Sequence, residues 1–228
     1  MIIGNGLLAN AFKCLPQQEN SVIIFASGVS NSKEFSKAAF DREKNLLLKS
    51  IKDDAMLVYF STCSVEDNSL NDTPYIIHKR EIESYIQQQV QHYIIFRLPI
   101  VVGNTSNPNT LTNYLFNKIN NGEKITAYAL AYRYLIDVDD IAKIVSIILR
   151  RNDFNNQIIN IVLGKPIKVI DLISIFEQVL QIKATYDFVN EGSYYAIDHT
   201  KIIPILKQLG LNNNIEYNFR LIEKYYKK

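Results

Sequence analysis

The chain has no tryptophan, only two cysteines, and no surplus of charge of either sign. Its 25 Lys and Arg stand against 23 Asp and Glu, a formal net charge of +2 over 228 residues. The charges alternate in sign, so nothing marks nucleic acid or a membrane surface as the main partner. Cys14 and Cys63 form neither a disulfide framework nor a metal-ligand spacing, which suits a reducing compartment. No apolar run approaches the ~20 residues that a membrane helix needs. Met1–Asn5 lacks a basic stretch and is broken by Gly4, so no signal peptide is expected. These absences predict a soluble, cytoplasmic protein. Hydrophobic residues make up 47% and charged residues 21%, the balance of a folded rather than a disordered chain. The length allows one substantial core with a small second lobe. Lys224, Lys227 and Lys228 read as a solvated terminus.

Along the chain, strand-like and helix-like stretches alternate. Met1–Ile3 is a short apolar strand, followed by Gly4-Asn5-Gly6-Leu7-Leu8-Ala9 and an amphipathic helix over 7–15. Strand, glycine turn and helix in that order open a dinucleotide-binding unit. Gly4 permits the tight turn, Gly6 lets the backbone approach a pyrophosphate at the helix start, and Ala9 keeps helix and strand close. The competing reading is a turn that needed two glycines for geometry alone. A buried strand is expected over 21–28, a helix over 35–51, and a strand at Leu57–Phe60 running into Ser61-Thr62. After a polar loop comes a helix over 75–91 with a broad apolar face, and then one long strand from Tyr93 to Gly103. Later helices are expected over 111–121 (capped by Asn109 or Thr110), 141–150 (capped by Asp139 or Asp140), 169–180 and 202–209, the last one ending at Gly210. Strands are expected over 124–130, 157–163 and 186–190. Such alternation predicts an α/β fold with a doubly wound parallel sheet.

The second strand departs from the dinucleotide pattern. No Asp or Glu stands at its end to hold the adenosine ribose, and the first acid is Glu34. Either Ser27, Asn31, Ser32 and Lys33 contact a 2′-phosphate, or the usual second and third strands are missing. The shortness of the chain favours the second alternative.

Tyr75 and Lys79 are four residues apart on one helix and share a face. A tyrosine has a pKa near 10, so a neighbouring ammonium is the simplest means of making it a usable base at neutral pH. Thr62, at the end of the preceding strand, lies where open α/β sheets put their ligands. Together the three form an acid/base site for moving a proton while a nicotinamide moves a hydride. Tyr114 and Lys118 make a second such pair, read as the solvated flank of an ordinary helix.

With these pieces in order, the sequence resembles the extended short-chain dehydrogenase/reductase family, the nucleotide-sugar epimerases, dehydratases and ketoreductases. The matching stretches are 4–9, 25–28, 60–65, 75–79, 97–103, 133–140 and 160–166. The resemblance implies a Rossmann-like core over 1–103 and 134–165, short of one or two strands, with a substrate lobe over 104–133 and 166–228. It implies NAD or NADP as cofactor, bound at Gly4, Gly6, Leu7, Leu8, Ala26, Ser27 and Lys79. Tyr75 would act as acid/base with Lys79 and Thr62, and Asn109, Thr110 and Arg133 would line the nucleotide-sugar site. Arg133 has a rival reading as a surface arginine, and Arg97 reads as structural.

Dehydratases of this kind carry an Asp-Glu pair after the Thr. Here Cys63-Ser64 follows, which argues against elimination of water. Some relatives use a Cys here with a His, but none of His78, His92 and His199 lies where that partner is expected, so Cys63 reads as a small buried residue. His78 reads as surface or packing. The resulting expectation is a reductase or epimerase acting on a nucleotide-linked sugar for surface polysaccharide, a homodimer through the 75–91 helix. The rival readings are a non-catalytic binding protein of the same fold and a subunit whose 75–91 helix packs on a partner.

Overall fold

The computed structural model describes residues 1–13, 21–151, 153–212 and 214–227. Cys14, the end of the helix expected over 7–15, and Lys228 lie outside them. The first half of the chain contains β1 (Ile2–Ile3), α1 (Leu7–Lys13), β2 (Val22–Phe25), α2 (Lys37–Ser50), β3 (Met56–Thr62), α3 (Pro74–Gln89) and β4 (Tyr93–Leu98). The middle contains β5 (Ile100–Val102), α4 (Leu111–Asn120), β6 (Ile125–Tyr128), β7 (Tyr132–Arg133), β8 (Leu135–Asp137) and α5 (Val138–Arg151). Last come β9 (Gln157–Asn160), β10 (Ile167–Lys168), α6 (Val169–Leu180), β11 (Tyr186–Val189), α7 (Ile203–Gln208) and α8 (Ile215–Tyr226).

Five strands form one parallel sheet in the order β1-β2-β3-β4-β9. Successive side chains point to opposite faces. On one face Ile24, Val58, Phe60, Ile94 and Phe96 join Phe12 of α1 and Ile141, Ile144 and Ile148 of α5. On the other, Ile23, Phe25, Leu57, Tyr59 and Ile95 join Leu47 of α2 and Ile82 and Ile86 of α3. The sheet is therefore doubly wound, and strands buried on both faces read as uninterrupted apolar runs. Of the isoleucines in the 75–91 stretch, Ile82 and Ile86 belong to this core, Ile76 packs with Val29, Val65 and Tyr75, and Ile77 stands exposed.

A full dinucleotide fold has the strand order 3-2-1-4-5-6. Here the first strand is an edge, and no strand lies beyond it among the described residues. β2 thus occupies the place of a later strand, as the missing acid at its end suggests. The connections carry the same signature. β1-α1-β2 and β2-α2-β3 step the same way along the sheet, yet α1 and α2 pack on opposite faces, so the two crossovers have opposite hands. Such crossovers are right-handed in about 98% of cases. α1 keeps the face it would need to lead to a strand on the far side of β1, although none lies there among the described residues.

Several boundaries differ from expectation for local reasons. The strand expected over 93–103 is two strands, because Pro99 lacks the N–H that a ladder needs. β4 stays in the main sheet and β5 pairs in parallel with β8. The helix expected from Phe35 begins at Lys37, leaving Phe35 83% exposed. Asp139 and Asp140 lie inside the first turn of α5, and Asp137 supplies the cap, its Oδ1 accepting from the Asp139 amide at 2.9 Å. Thr110 does cap α4, accepting from the Asn113 amide at 3.2 Å. The helix over 203–208 is not the last. α8 follows, packs Leu221, Ile222 and Tyr226 into the core, and pairs Lys224 with Asp137 and Asp139 at 2.7 Å each. Lys224 is thus part of a cluster rather than a free tail. No helix among the described residues is long and apolar enough to cross a membrane.

Gly4 sits at φ +121°, and a Cβ there would lie 2.4 Å from the Ala26 carbonyl oxygen. We expect Gly4→Ala to destabilise the protein by roughly 1–3 kcal/mol, read from the urea midpoint, through both the backbone and the clash.

Candidate active site

The C-terminal ends of the strands open into a cleft of about 1200 Å³. Gly6, Leu7 and Leu8 line it at the start of α1, Ala26 just after β2, and Thr62 at the end of β3. Tyr75 and Lys79 enter from α3, and Asn109, Thr110 and Arg133 border it from the other side. Gly4 lies behind this lining, packed on Ala26. Ser27 also stands outside it, within 3.5 Å of the Arg42 guanidinium, which donates to its hydroxyl and carbonyl oxygens. Tyr114, read from sequence as a solvated flank, borders the cleft, while its neighbour Lys118 pairs with Glu123 at 2.6 Å.

Local structure explains the placement of Thr62, Tyr75 and Lys79. Thr73 precedes α3 and Pro74 takes its first position, where a missing N–H costs nothing. Tyr75 is therefore in the first turn, with Lys79 one turn deeper. Thr62 ends β3, where its Oγ1 accepts from the Ser64 amide at 3.1 Å, and it borders the cleft beside Tyr75. Beside it the buried Ser61 Oγ borders the same cleft with no hydrogen-bond partner among the described residues.

Lys79 is 2% exposed, and its ammonium is engaged. Nζ donates to Glu43 Oε1 at 2.9 Å and to the Tyr59 hydroxyl at 3.0 Å. Glu43, on α2, is fully buried. Its Oε1 also accepts from Tyr59 at 2.6 Å, and its Oε2 accepts from the Val29 amide at 2.6 Å and from His78 Nε2 at 3.1 Å. A carboxylate only accepts, so His78 Nε2 carries the proton. Burial alone would raise the Glu43 carboxyl; His78, the Lys79 charge, Tyr59 and Val29 overcome it and hold the pKa at about 2. Burial pulls the Lys79 ammonium below its ordinary value, and the carboxylate opposes that pull. With an ionised carboxylate at 2.9 Å, we assign the pair as ammonium and carboxylate. Gly28 leaves room for it: a Cβ there would lie 2.9 Å from Lys79 Nζ and 3.1 Å from Glu43 Oε1.

From sequence, Lys79 is the cation expected to lower Tyr75. In the structure its Nζ stands 5.8 Å from the Tyr75 ring centroid, and its hydrogen bonds go elsewhere. Burial pushes the Tyr75 phenol up and the Glu43 charge adds to this, while the Thr62 hydrogen bond works the other way. Glu43, Tyr59 and His78 were not singled out as site residues. Glu43 had one legible signal, since it shares the 3–4 spacing of Phe40, Leu47 and Ser50 on the buried side of α2. His78 is 5% exposed and stacks on Phe40 at 4.6 Å between ring centroids.

Cys63 and Arg97 have structural roles. Cys63 is fully buried, its Sγ donates to the Arg97 carbonyl at 3.3 Å, and burial pushes its thiol up. Arg97 pairs with Glu83 at 2.6 Å and with Glu66. Arg133 keeps one donor on the Tyr132 carbonyl at 2.7 Å.

A doubly wound parallel sheet with Thr62, Tyr75 and Lys79 gathered at the C-terminal ends of its strands defines a protein of the dinucleotide-binding α/β class. A profile of the NAD dependent epimerase/dehydratase family matches residues 22–162, and the chain belongs to that family. The match begins at β2, so the glycine turn lies outside it. Among solved structures, the chain is similar to UDP-glucuronic acid 4-epimerase from Bacillus cereus in complex with UDP-glucuronic acid and NAD. The TM-score is 0.69 at 17% identity, covering 91% of this chain and 75% of that one. UDP-glucose 4-epimerase from Thermotoga maritima, with UDP-glucose, gives 0.68 at 18% identity over 90% and 77% of the two chains. RMD from Pseudomonas aeruginosa, complexed with NADPH, gives 0.66 at 14% identity over 99% and 89%. At these identities the likeness is one of fold. No curated protein sequence matches the chain.

Glu43 makes stability depend on acid pH. Its folded pKa of about 2 lies below the model-compound value of 4.5, so the stabilisation is complete above the latter and lost as pH falls from one towards the other. We expect the protein to lose up to roughly 3 kcal/mol through this group. The stability gap to Glu43→Gln should narrow as pH falls from about 5 towards about 2 in urea titrations, since only the parent has this carboxylate to protonate.

Proposed function

We propose that the protein is an NAD(P)-dependent reductase or epimerase acting on a nucleotide-linked sugar, with Tyr75 as acid/base. The observation that carries this reading is the meeting of Thr62, Tyr75 and Lys79 on one cleft at the ends of parallel strands. A nicotinamide dinucleotide fits the residues at its floor. Gly6 borders the cleft, and a Cβ there would meet nothing within 4 Å, which leaves the backbone open to a pyrophosphate. Gly6, Leu7 and Leu8 would hold that group, with Gly4 shaping the turn, Ala26 and Ser27 flanking the cofactor, and Lys79 holding the nicotinamide ribose. When bound, the dinucleotide supplies or accepts the hydride. Tyr75 moves the proton at the substrate oxygen, and Thr62 bonds the same oxygen and orients it. Asn109, Thr110 and Arg133 would take the nucleotide diphosphate, in a substrate lobe drawn from 104–133 and 166–228 against a core of 1–103 and 134–165. The family supports this class of chemistry, and the similar structures are complexes with UDP-sugars, NAD and NADPH. We assign the reaction to the making of surface polysaccharide, which consumes nucleotide-linked sugars.

One observation favours a second reading, a binding protein without turnover. β1 is the sheet's edge, so an adenosine lying beyond it has no strand beneath it among the described residues. Calorimetric titration with NAD(H) and NADP(H) separates the two, and binding of neither would sink the redox reading. Given binding, Tyr75→Phe should lower turnover by about 100-fold or more with the dinucleotide still bound, and Lys79→Met should weaken both. We also propose a homodimer through α3, where Ile77 is 45% exposed, with Leu48 of α2 at 40%. A single monomeric species in sedimentation would overturn that assembly.

A further inference from the structure

A nicotinamide dinucleotide has two mononucleotide halves, and the chain meets them unequally. A full dinucleotide fold is itself built of two halves, strands 1–3 and strands 4–6. The first half serves the adenosine end, where an acid after the second strand bonds the ribose 2′-hydroxyl. In this chain β1 alone represents that half among the described residues. It pairs only with β2 and forms the sheet's edge, and β2 already takes the place of a strand from the second half. α1 ends at Lys13, and the next strand begins at Val22. Residues 1–13 contain no Asp or Glu that could bond a ribose. The cleft stops at the same place. Gly6, Leu7 and Leu8 border it, whereas β1 and the rest of α1 do not. From Gly6 it runs the other way along the sheet, past Thr62, Tyr75 and Lys79. Ser27 and Arg42 come after β2, which lies inward of β1, and Arg42 donates to the Ser27 hydroxyl and carbonyl oxygens at 3.5 and 3.4 Å.

We infer that the chain holds a nicotinamide dinucleotide by its nicotinamide mononucleotide half alone, so that reduced nicotinamide mononucleotide, NADH and NADPH are equivalent ligands of this cleft. This rests on the cofactor proposed above and goes beyond it. Affinity comes from surface removed from water and from polar groups met by partners, and a group left hydrated adds neither. The adenosine half is in that position here. The 2′ carbon that distinguishes NADH from NADPH belongs to it, so neither the hydroxyl nor the phosphate is selected. Discrimination between two ligands needs a partner for one or a repulsive group against the other, placed where they differ. An open sheet edge provides no surface from which either could act. The ring that carries the hydride lies in the half that is held, so the chemistry proposed above is kept.

Calorimetric titration of the full chain at one ionic strength tests this, with NADH, NADPH, reduced nicotinamide mononucleotide and AMP as the probes. The first three should bind with dissociation constants within about tenfold of one another. AMP should neither bind in that range nor displace NADH. Binding of NADH or NADPH more than about tenfold tighter than the mononucleotide overturns the inference, and so does a preference of that size between the two dinucleotides. Displacement of NADH by AMP overturns it as well, because AMP carries only the adenosine and its phosphate. In each of these outcomes the redox reading above stands. Should no nicotinamide ligand bind, both fail together, and that result alone marks the failure of the cofactor proposed above. The heats report binding without turnover, so the outcome does not depend on the identity of the sugar.

Discussion

The site depends on the buried ion pair between Glu43 and Lys79. Removing two charges from water is costly, and their mutual attraction offsets that cost only where the remaining hydrogen-bonding capacity is met. Here Tyr59, His78 and Val29 meet it. The pair also joins α2, β3, α3 and the backbone after β2, the elements that surround the reactive end of the cleft. Gly28 is the sequence's accommodation to it, because any side chain there would press on both charges. One set of contacts therefore ties these elements together around the cleft.

The other half of the cleft is arranged differently. β1 has two residues and only one neighbour, yet Gly4 and Gly6 retain the backbone shape of a phosphate-binding turn. α1 remains on the face suited to a strand beyond β1, where none lies among the described residues. The half around Thr62 and Tyr75 thus has the sheet on both sides of β3 and helices on both faces, while the half around Gly6 lies at an open sheet edge. This asymmetry sets the protein apart from a full dinucleotide fold, although its central strands keep the usual order and direction.

Much of the fold was legible because it rests on local periodicity. Val169–Leu180 is a helix with the limits expected from its apolar spacing, and the Val22–Phe25 and Leu57–Phe60 runs are strands buried on both faces. Departures came where a single residue or a distant contact decided. Pro99 splits one apolar run between two sheets. α8 was hidden behind the lysines near it, of which Lys224 pairs with Asp137 and Asp139, 87 and 85 positions earlier in the chain. Glu43 sat on an apolar stripe and still passed for an ordinary helix acid, since its partners come from three other segments.

The sequence by itself determined the class of fold, the glycine turn, and the spacing that puts Tyr75 and Lys79 on one side of α3. Those features depend on residues within a few positions of one another, where helix and strand geometry leave little choice. Only the tertiary structure decided what Lys79 does with its charge. That outcome hangs on Glu43, 36 positions away in sequence and 2.9 Å away in space, and no periodicity records such a meeting. The same holds for the edge position of β1, which follows from which strands pair and not from the residues of β1 itself.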